Sequence, residues 1–456
     1  SRGLGDVYKR QHSIEQSIRF NDDDSPFMTR TPGSTGNRRT WSINCWVKLG
    51  NSPGDFTLWS VHTGYQSYAQ IRSDGLEFAV GNGSSSNSYH KTNRVFRDGS
   101  AWYNFLFVFD STNAQASERA RIYVNGQRET SFSTTGSWAL NYDSNVNFTQ
   151  AHYIGEQGTG GNHLDGYLAD FVIIDGLALD PSSFGETNDN GIWVPKDITG
   201  LTFGTNGVFI DGRDASDLGD DESGNGNDFT TSGLASHDQM ADSPTNNFAV
   251  MNPLGTGNGS TISQATFSNG NLEVSRDSAT IADPQATIVI PASFKCYFEV
   301  YNKDGGGSGD DGNRFSLLDE NFLQTGTVTY FVNYYVSGKT KSTEQTESSP
   351  VTVVADGNIV SYAVDIAGGE VKVFIQGSLV KTFTIGSAYR SLNFFPASRL
   401  ITLDSGFGNH IWNFGQEGTF AGNITAGGNS DSNGVGNFKY SVPSGFQALC
   451  TKNLGS

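Results

Sequence analysis

Short apolar or alternating runs recur along the whole chain and are separated by clusters of Gly, Asn, Asp and Ser. Each run is rich in aromatic and β-branched residues, which is typical of β-strands. Asn125-Gly126 directly follows one run and predicts a hairpin turn. Helical pattern is confined to a short helix expected at 114–119 and a helical turn at 181–185. Many short strands between frequent turns predict β-sandwiches or barrels. The clearest predicted strands are 41–48, 56–61, 76–80, 102–110 and 121–124.

Two strand-rich blocks, residues 12–200 and 262–416, are separated by a segment of different composition. Residues 201–261 are rich in acids, Gly and Asn and contain Pro244 and Pro253. Such a composition, punctuated by proline, predicts an extended acidic linker between two domains.

Local apolar runs interrupt the polar segments. Within the predicted linker, residues 207–210 form a run that predicts a strand. The final residues 417–456 are rich in Gly and Asn, and their apolar patch at 446–449 is expected to dock back on a domain. We therefore expect an all-β protein with two antiparallel jelly-roll-type β-sandwiches in tandem.

The charge balance excludes several classes of protein. The chain has 29 Lys+Arg against 47 Asp+Glu, a formal net charge of −18, so it lacks the basic footprint of a nucleic-acid binder. No apolar run approaches the roughly 18 residues of a membrane helix. We therefore expect neither a nucleic-acid partner nor membrane insertion. Three widely spaced cysteines do not form a disulfide framework, and Cys45 and Cys296 are expected to be buried free thiols.

The first eleven residues, SRGLGDVYKRQ, show no apolar period. They resemble the translation of a transposase-type sequencing adaptor, so residues 1–11 are expected to be foreign to the protein and are left out of the fold. This segment carries Arg2, Lys9 and Arg10 against Asp6, so the remaining chain has a net charge of −20. The natural start of the gene is expected to be missing, so the lack of a signal peptide carries no information.

Four segments of the first block resemble a known family. They are TWSINCWVK at 40–48, AWY at 101–103 with the strand at 105–110, RIYVNG at 121–126, and HLDGYLADF at 163–171 followed by 179–184. In this order they resemble the concanavalin A-like, laminin G-like jelly roll. Gly166 in the last segment leaves room for a close backbone approach.

The second block resembles a SPRY-type sandwich. KCYFEV at 295–300 is similar to the early aromatic strand of that family, and 359–375 is similar to its pair of central strands joined by a Gly turn. WNFGQ at 412–416 is similar to its terminal strand. The turn at Gln376-Gly377 departs from the usual Asn-Gly of the family. A β-sandwich is expected in either case.

The pair of domains, with the ending SGFQAL at 444–449, resembles structural proteins of marine tailed phages. The resemblance implies a non-enzymatic virion protein, a tail-fibre or decoration component, assembled in the host cytoplasm as a homo-oligomer with other virion proteins as partners. Its first domain would bind host-surface glycans. Two alternatives stay open: a secreted, extracellular bacterial lectin or adhesin, and a glycan-active enzyme.

The sequence gives little support to catalysis. Glycosidases need two carboxylates across the scissile bond, and the spacing Glu-x-Asp-x-x-Glu that serves some jelly-roll glucanases is absent from the sequence. The string Gly-x-Ser-x-Gly at 50–54 contains Pro53 and precedes a predicted strand, whereas a nucleophile elbow leads into a helix. We therefore expect no enzyme and no catalytic residue.

Aromatic residues in predicted loops are the candidates for carbohydrate binding. Sugars stack on aromatic rings, and loops carry much of the binding function of β-sandwiches. Trp138 lies between a Ser/Thr-rich stretch and Asn141, so it is expected to be exposed. The alternative is that these rings cover loop cores or subunit contacts. The candidates are Trp138, Tyr142, Tyr65, Tyr68 and Tyr89.

Calcium is the one metal ion that the sequence suggests, and no other cofactor is expected. Asp221, Ser223 and Asn225 imitate the opening of an oxygen-ligand loop. The acid expected at position twelve is absent, because Ser232 stands there. The same residues are also good turn formers, so a solvated loop is the alternative.

Overall fold

Strands account for most of the regular structure in the computed structural model of this protein, which confirms the all-β fold class. The expected helix at 114–119 is only a 3₁₀ turn at Ala116–Glu118. Within the described residues, no helix is long and apolar enough to cross a membrane. The structure describes residues 12–50, 54–61, 66–83, 88–158, 160–254, 265–276, 282–304, 313–320, 331–348, 350–400 and 408–455.

The strands are named in chain order, and the remaining short elements are helical turns. The first strands are β1 Ser17–Phe20, β2 Phe27–Arg30, β3 Thr40–Leu49, β4 Phe56–Val61, β5 Ser67–Arg72, β6 Gly75–Val80, β7 Ser88–Thr92, β8 Trp102–Asp110, β9 Ala120–Val124, β10 Gln127–Arg128, β11 Phe132–Thr134, β12 His152–Ile154, β13 Gly166–Asp175, β14 Gly185–Thr187, β15 Trp193–Pro195, β16 Val208–Ile210, β17 Thr230–Ser232 and β18 Gln239–Met240. The later strands are β19 Thr266–Ser268, β20 Glu273–Arg276, β21 Lys295–Asp304, β22 Arg314–Asp319, β23 Phe331–Tyr335, β24 Thr340–Ser342, β25 Ile359–Asp365, β26 Glu370–Ile375, β27 Ser378–Thr384, β28 Phe394–Arg399, β29 Gly408–Asn413 and β30 Gln447–Ala448. The helical elements are Asp22–Asp24, Ala116–Glu118, Pro181–Ser183, Ser236–Asp238, Ser387–Tyr389 and Thr451–Leu454.

The first sandwich consists of two eight-stranded sheets. One has the order β10-β9-β8-β3-β13-β1-β18, with β16 also paired to β13, and the other has the order β11-β7-β6-β5-β4-β12-β2-β17. Aromatic rings from both sheets meet in the core, where Trp41 stacks on Phe109 at 5.4 Å and meets the edge of Trp59 at 5.9 Å. Burying a ring of this size stabilises the fold by about 1.5–3 kcal/mol.

The first of these sheets is apolar on both faces. In β13, Phe171 and Ile173 face the sandwich core, while Val172 and Ile174 pack on the opposite side against Phe203 and neighbouring residues. A continuous apolar run of this kind is typical of a strand that is buried on both faces. The polypeptide after β13 supplies the second cover.

The interpretation of residues 201–261 as an extended linker is wrong for its first forty residues. Strand β16 pairs with β13, β17 pairs with β2, and β18 pairs with β1, all antiparallel, so this segment extends both sheets of the first sandwich. The strand expected at 207–210 is confirmed as β16. The physical reason is that β13 is apolar on both faces. A solvated linker would leave its second face in contact with water, so residues after 200 pack on that face instead.

The second sandwich consists of an eight-stranded sheet, β19-β20-β29-β21-β25-β26-β27 with β30 paired to β21, and a four-stranded sheet, β24-β23-β22-β28. In its core Phe298 stacks on Tyr362 at 5.1 Å and lies 5.7 Å from Trp412. The C-terminal segment packs on the outside of the larger sheet. There β30 runs parallel to β21, and Glu299 accepts hydrogen bonds from the amides of Lys439 and Tyr440.

The two sandwiches contact each other directly. Tyr167 Oη of the first donates to the carbonyl of Gly270 at 2.6 Å, and Asn271 Nδ2 of the second donates to the carbonyl of Gly50 at 2.7 Å. Both groups are buried. These two hydrogen bonds therefore join the sandwiches away from solvent, while Asn271 Oδ1 is left without a partner among the described residues.

Candidate functional site

A row of tyrosines lies on the outer face of the second sheet of the first sandwich. Tyr68 of β5, Ala79 of β6 and Tyr89 of β7 are direct cross-strand partners, so their side chains point to the same side of the sheet. Their neighbours along the strands, such as Ala69 and Phe78, face the core. The period of two along each strand therefore places both tyrosines on the outer face.

The two tyrosine rings are separated by a small residue. Tyr68 and Tyr89 are half-buried, while Ala79 between them is fully buried. With strands about 4.8 Å apart, the two tyrosine backbones lie about 10 Å from each other. Because Ala79 is 0 % exposed, the side chains around it cover it, and the two half-buried tyrosines form the accessible surface of this part of the sheet.

A loop lies beside Tyr68 on the outer face of the sheet. Ser60 of β4 is the next residue across the sheet from Tyr68, and its hydroxyl donates to the carbonyl of Glu156 at 2.8 Å and accepts from the amide of Gly158 at 3.0 Å. These bonds hold the loop after β12 across the outer face of β4. This loop therefore borders Tyr68 on the side of β4.

A polar row runs parallel to the tyrosines. Gln70, Glu77 and Lys91 are cross-strand partners on the same outer face. Glu77 accepts a hydrogen bond from Tyr68 Oη at 3.2 Å and lies 2.8 Å from Arg72 Nε and 3.5 Å from Lys91 Nζ. Burial, and then the negative charge of Glu77, raises the pKa of Tyr68 to about 12, so its hydroxyl stays protonated and able to donate. We call Tyr68, Ala79, Tyr89, Gln70, Glu77, Arg72 and Lys91 the tyrosine face.

One group of the tyrosine face is left with unused hydrogen-bonding capacity. Gln70 Nε2 donates to Thr57 at 3.1 Å, while Gln70 Oε1 is buried with no donor among the described residues. Gln70 is 0 % exposed, so this oxygen lies beneath the surface of the tyrosine face and is not open to a surface ligand.

The tyrosine face is better suited to binding than to hydrolysis. A retaining or inverting glycosidase needs two carboxyl groups free to act as acid and as base or nucleophile. The acids near this face are instead tied to cations, since Arg72 bonds both Asp55 and Glu77, and Lys91 bonds Asp74. Aromatic rings beside amide and charged groups are the usual lining of sites for small polar ligands.

The structure distributes the predicted carbohydrate-binding residues over different places. Tyr68 and Tyr89 come together on the tyrosine face, as described. Tyr65 lies outside the described residues. Tyr142 is half-buried, packs on the sandwich core and meets Phe109 at 6.4 Å, away from the two tyrosines. Sequence reasoning missed Gln70 and Glu77, although the alternation within β5 and β6 places them on the outer face.

The expectation that Trp138 is exposed is wrong. Its side chain is only 3 % exposed, and its indole Nε1 donates to the carbonyl of Val80 at 2.9 Å. The ring meets the edges of His90 at 5.1 Å and Phe109 at 6.0 Å. The polar stretch before Trp138 therefore folds back and closes the open end of the sandwich with this ring. The polar sequence of this loop does not indicate that the loop folds back over the core.

The proposed calcium loop has its oxygens occupied by the protein. The carboxylate of Asp221 accepts hydrogen bonds from the amides of Phe209 and Asn227, both at 2.8 Å, and from the amide and hydroxyl of Ser223. Asn225 Nδ2 donates to two carbonyls rather than turning its oxygen inward as a ligand. Within the described ranges, no three His, Cys, Asp or Glu side chains form a metal-binding group. Calcium binding stays a prediction.

Comparison with known proteins supports the fold of the first sandwich. Residues 22–182, about a third of the chain, match a laminin G family model described as the concanavalin A-like lectin/glucanases superfamily. This match confirms the laminin G-like resemblance over that range. Among curated proteins, no match is found.

Three solved structures illustrate the likeness in architecture. A heptameric SAP-like pentraxin from Limulus polyphemus is 18 % identical over 36 % of this chain and 78 % of its own, with a TM-score of 0.27. Domains LG4-5 of the mouse laminin alpha1 chain are 9 % identical over 88 % of both chains, with a TM-score of 0.30. A human SPRY domain is 14 % identical over 32 % of this chain and 94 % of its own, with a TM-score of 0.25. The function proposed below does not rest on these three likenesses.

Proposed function

We propose that this protein is a non-enzymatic glycan-binding protein that contacts sugars through the tyrosine face. The observation that carries the proposal is the pair Tyr68 and Tyr89, held in register on either side of Ala79. Each ring presents an apolar surface that complements the CH face of a sugar. The spacing of about 10 Å allows one oligosaccharide to contact both rings.

Polar groups of the tyrosine face would fix the orientation of a bound sugar. Lys91 Nζ is a donor for sugar hydroxyls, while Glu77 and the oxygen of Tyr68, whose hydrogen is donated to Glu77, are acceptors. Glu77 and Arg72 hold each other in place, which limits the entropy lost on binding. This arrangement resembles the general design of polar-ligand sites, in which a few fixed polar groups orient a ligand on an apolar floor.

A glycan array with single variants tests the proposal. Tyr68→Ala and Tyr89→Ala are expected to lose binding by at least about tenfold, since stacked aromatic anchors commonly contribute more than 1 kcal/mol. Tyr142→Ala is the matched control, because it removes a half-buried tyrosine of the same sandwich that lies away from the face. Binding that survives both face variants, or that is lost only in the control, overturns the assignment. Thermal unfolding of each variant verifies that it is folded.

A hydrolysis assay on the bound glycans tests the non-enzymatic part. The expected result is no product, because the acids of the face are paired with Arg72 and Lys91. Turnover that disappears in Glu77→Gln, with binding retained, would show that the face belongs to a glycan-active enzyme.

We further propose that the protein is a structural component of a tailed-phage virion, a tail fibre or decoration, and works as a homo-oligomer beside other virion proteins. The support is the resemblance of the domain pair and of the ending at 444–449. Neighbouring capsid, portal or tail genes would support this role. Neighbouring secretion genes would favour the alternative, an extracellular bacterial lectin or adhesin, with the same glycan face.

A further inference from the structure

A small pocket on the outer face of the four-stranded sheet gathers positive charge. It has a volume of about 220 Å³, and three cations, Arg314, Lys341 and Arg399, line it together with one acid, Asp283. Three positive charges against one negative charge leave an excess of two in a chain whose overall net charge is −18. The net charge of the pocket lining is therefore positive, although the net charge of the whole chain is negative.

Strand register brings the two arginines side by side. Arg314 of β22 is the direct cross-strand partner of Arg399 of β28, and on its other side it is paired with Tyr335 of β23. Like charges directly opposite each other on neighbouring strands are destabilising. The arrangement needs a compensating negative group.

The acid of the pocket, Asp283, makes its bidentate contact with Arg399. Arg399 makes two hydrogen bonds of 2.6 Å to Asp283, which is a bidentate pair. Arg314 instead donates from Nη1 to Tyr335 Oη at 3.2 Å, with its guanidinium 5.4 Å from the centre of that ring. Its Nε is buried and has no acceptor among the described residues.

The surroundings of the Arg314 guanidinium disfavour its positive charge, although Asp283 offsets part of this effect. Burial, followed by the positive charge of Arg399, lowers the pKa of Arg314, which shows that its environment disfavours the charge. A guanidinium nevertheless stays protonated in proteins. Asp283, which is hydrogen-bonded to Arg399, is the one acid among the lining residues and acts on both arginines, so a bound anion would add negative charge where positive charge is in excess.

The remaining lining completes a site for a small ligand. Asn333 and Lys341 are cross-strand partners, and Ser316 Oγ donates to Asn333 Oδ1 at 2.7 Å. Leu318 and Phe331, paired on the next level of the sheet, form an apolar end of the pocket. An anion at Arg314 would thus have polar groups beside it and an apolar surface next to them.

We propose that this pocket binds an oxyanion, a carboxylate, sulfate or phosphate group, with Arg314 as its main partner and Lys341 as the second. The group would be part of a ligand no larger than a monosaccharide, given the volume of the pocket. The site is separate from the tyrosine face and does not depend on it.

Isothermal titration of the full chain tests the proposal. The probes are glucuronate, glucose 6-sulfate and glucose 6-phosphate, with glucose as the neutral control and inorganic phosphate to test the free ion. The charged sugars are expected to bind and glucose is not. Equal binding of inorganic phosphate means that the oxyanion alone is recognised, and weaker binding means that the sugar ring contributes; both support the site. Absence of binding by every anion overturns it.

Variants assign the binding to the pocket. Arg314→Gln is expected to weaken anion binding by at least about tenfold, because hydrogen bonds to charged groups are strong. Lys341→Gln is expected to weaken it less and remains informative if the first variant does not fold. Lys372→Gln is the matched control, since it removes one positive charge elsewhere on the same sandwich, where Lys372 pairs with Glu370. Unchanged affinity in Arg314→Gln, or equal loss in Lys372→Gln, would sink the assignment. Tyr68→Ala is expected to leave anion binding intact, which separates this result from the glycan proposal.

Discussion

Lys48 and Asp242 form a fully buried ion pair that ties the first sandwich to the segment leading into the second. Lys48 Nζ lies 2.7 Å from Asp242 Oδ2, and both side chains are 0 % exposed. Lys48 Nζ also donates to Asn247 and to the carbonyl of Phe248, and Asp242 Oδ1 accepts from Trp102 Nε1. Every charged atom of the pair is thus matched, which is the condition for a buried pair to be tolerated.

Removing the charge of Lys48 while Asp242 stays in place is expected to destabilise the fold. Lys48→Met leaves a buried carboxylate without its counter-charge, so we expect the free energy of unfolding to fall by about 3–5 kcal/mol. Urea unfolding followed by tryptophan fluorescence measures it. The exposed pair Arg39–Asp143 is the control, and Arg39→Met is expected to lower the free energy of unfolding far less than Lys48→Met does, because exposed ion pairs contribute little. Equal losses in the two variants would contradict the central position given to Lys48.

The raised pKa of Asp170 predicts that the stability of the fold depends on pH. Burial, and then the negative charge of Asp211, raises the pKa of Asp170 to about 7, above the roughly 3.9 of an unfolded aspartate. Between these values the folded state keeps a proton that the unfolded chain has lost. The contribution of Asp170 to stability is therefore full below about pH 4 and is lost as the pH rises through 7.

Asp170→Asn removes this titration. Asn also tolerates the left-handed backbone of residue 170, where φ is 45°. We expect the variant to match the parent near pH 4 and to exceed its stability at pH 8 by up to about 4 kcal/mol. Thermal unfolding at both pH values provides the comparison. A difference between the two proteins that does not change with pH would refute the assignment.

Trp138 is expected to matter for stability rather than for selective sugar contact. Trp138→Ala removes a buried ring and its hydrogen bond to Val80, so the free energy of unfolding should fall by about 3–5 kcal/mol. Leu140→Ala is the control in the same loop, because Leu140 is 53 % exposed and its loss should change stability by no more than about 0.5 kcal/mol. Chemical denaturation of both variants decides the matter. A stable Trp138→Ala variant that has lost glycan binding would restore the original expectation.

Gly166 allows the backbone of β13 to approach β3 closely. A Cβ atom added at Gly166 would lie 2.3 Å from the carbonyl oxygen of Lys48, and φ is 140°. Gly166→Ala is therefore expected to lower the melting temperature strongly. Gly191→Ala is the matched control, because its φ is also positive but no atom lies within 4 Å of the added Cβ. The clash is rejected as the cause if the two variants melt alike.

Asp221 is expected to stabilise its loop without a metal ion. Asp221→Ala leaves the amides of Phe209 and Asn227 without their acceptor, which should cost about 1–3 kcal/mol. The loss should be the same in EDTA and in calcium. A calcium-dependent rise in the melting temperature of the parent that is absent from Asp221→Ala would instead place an ion at this loop.

Local sequence was sufficient for the fold class and for much of the strand positions. The alternation in 41–48 and the continuous apolar run at 105–109 both predicted strands, and the structure has β3 and β8 there. In β8, Leu106 and Val108 pack on the face opposite the sandwich core. Burial of β13 on both faces was not predicted from the sequence, and its apolar run does not say which segment covers the second face. That cover comes from residues after 200, whose acidic turns suggested a linker.

The candidate site was predicted in part. Tyr68 and Tyr89 are among the predicted residues, but the sequence did not show that Ala79 lies between them, because cross-strand neighbours depend on register. Trp138 was misjudged because burial of a loop residue depends on where the loop returns. Arg314 was not singled out, since nothing local distinguishes it from a solvated arginine.

The sequence by itself determined that this chain folds into strands and tandem sandwiches, because the period of two along a strand and the chemistry of turns act over a few residues. Tertiary structure alone decided which side chains meet. Strand pairing over long separations set Tyr68 beside Ala79 and Arg314 beside Arg399, and domain docking buried Lys48 against Asp242. Register and docking are fixed by the burial of whole faces, so no single segment contains the information.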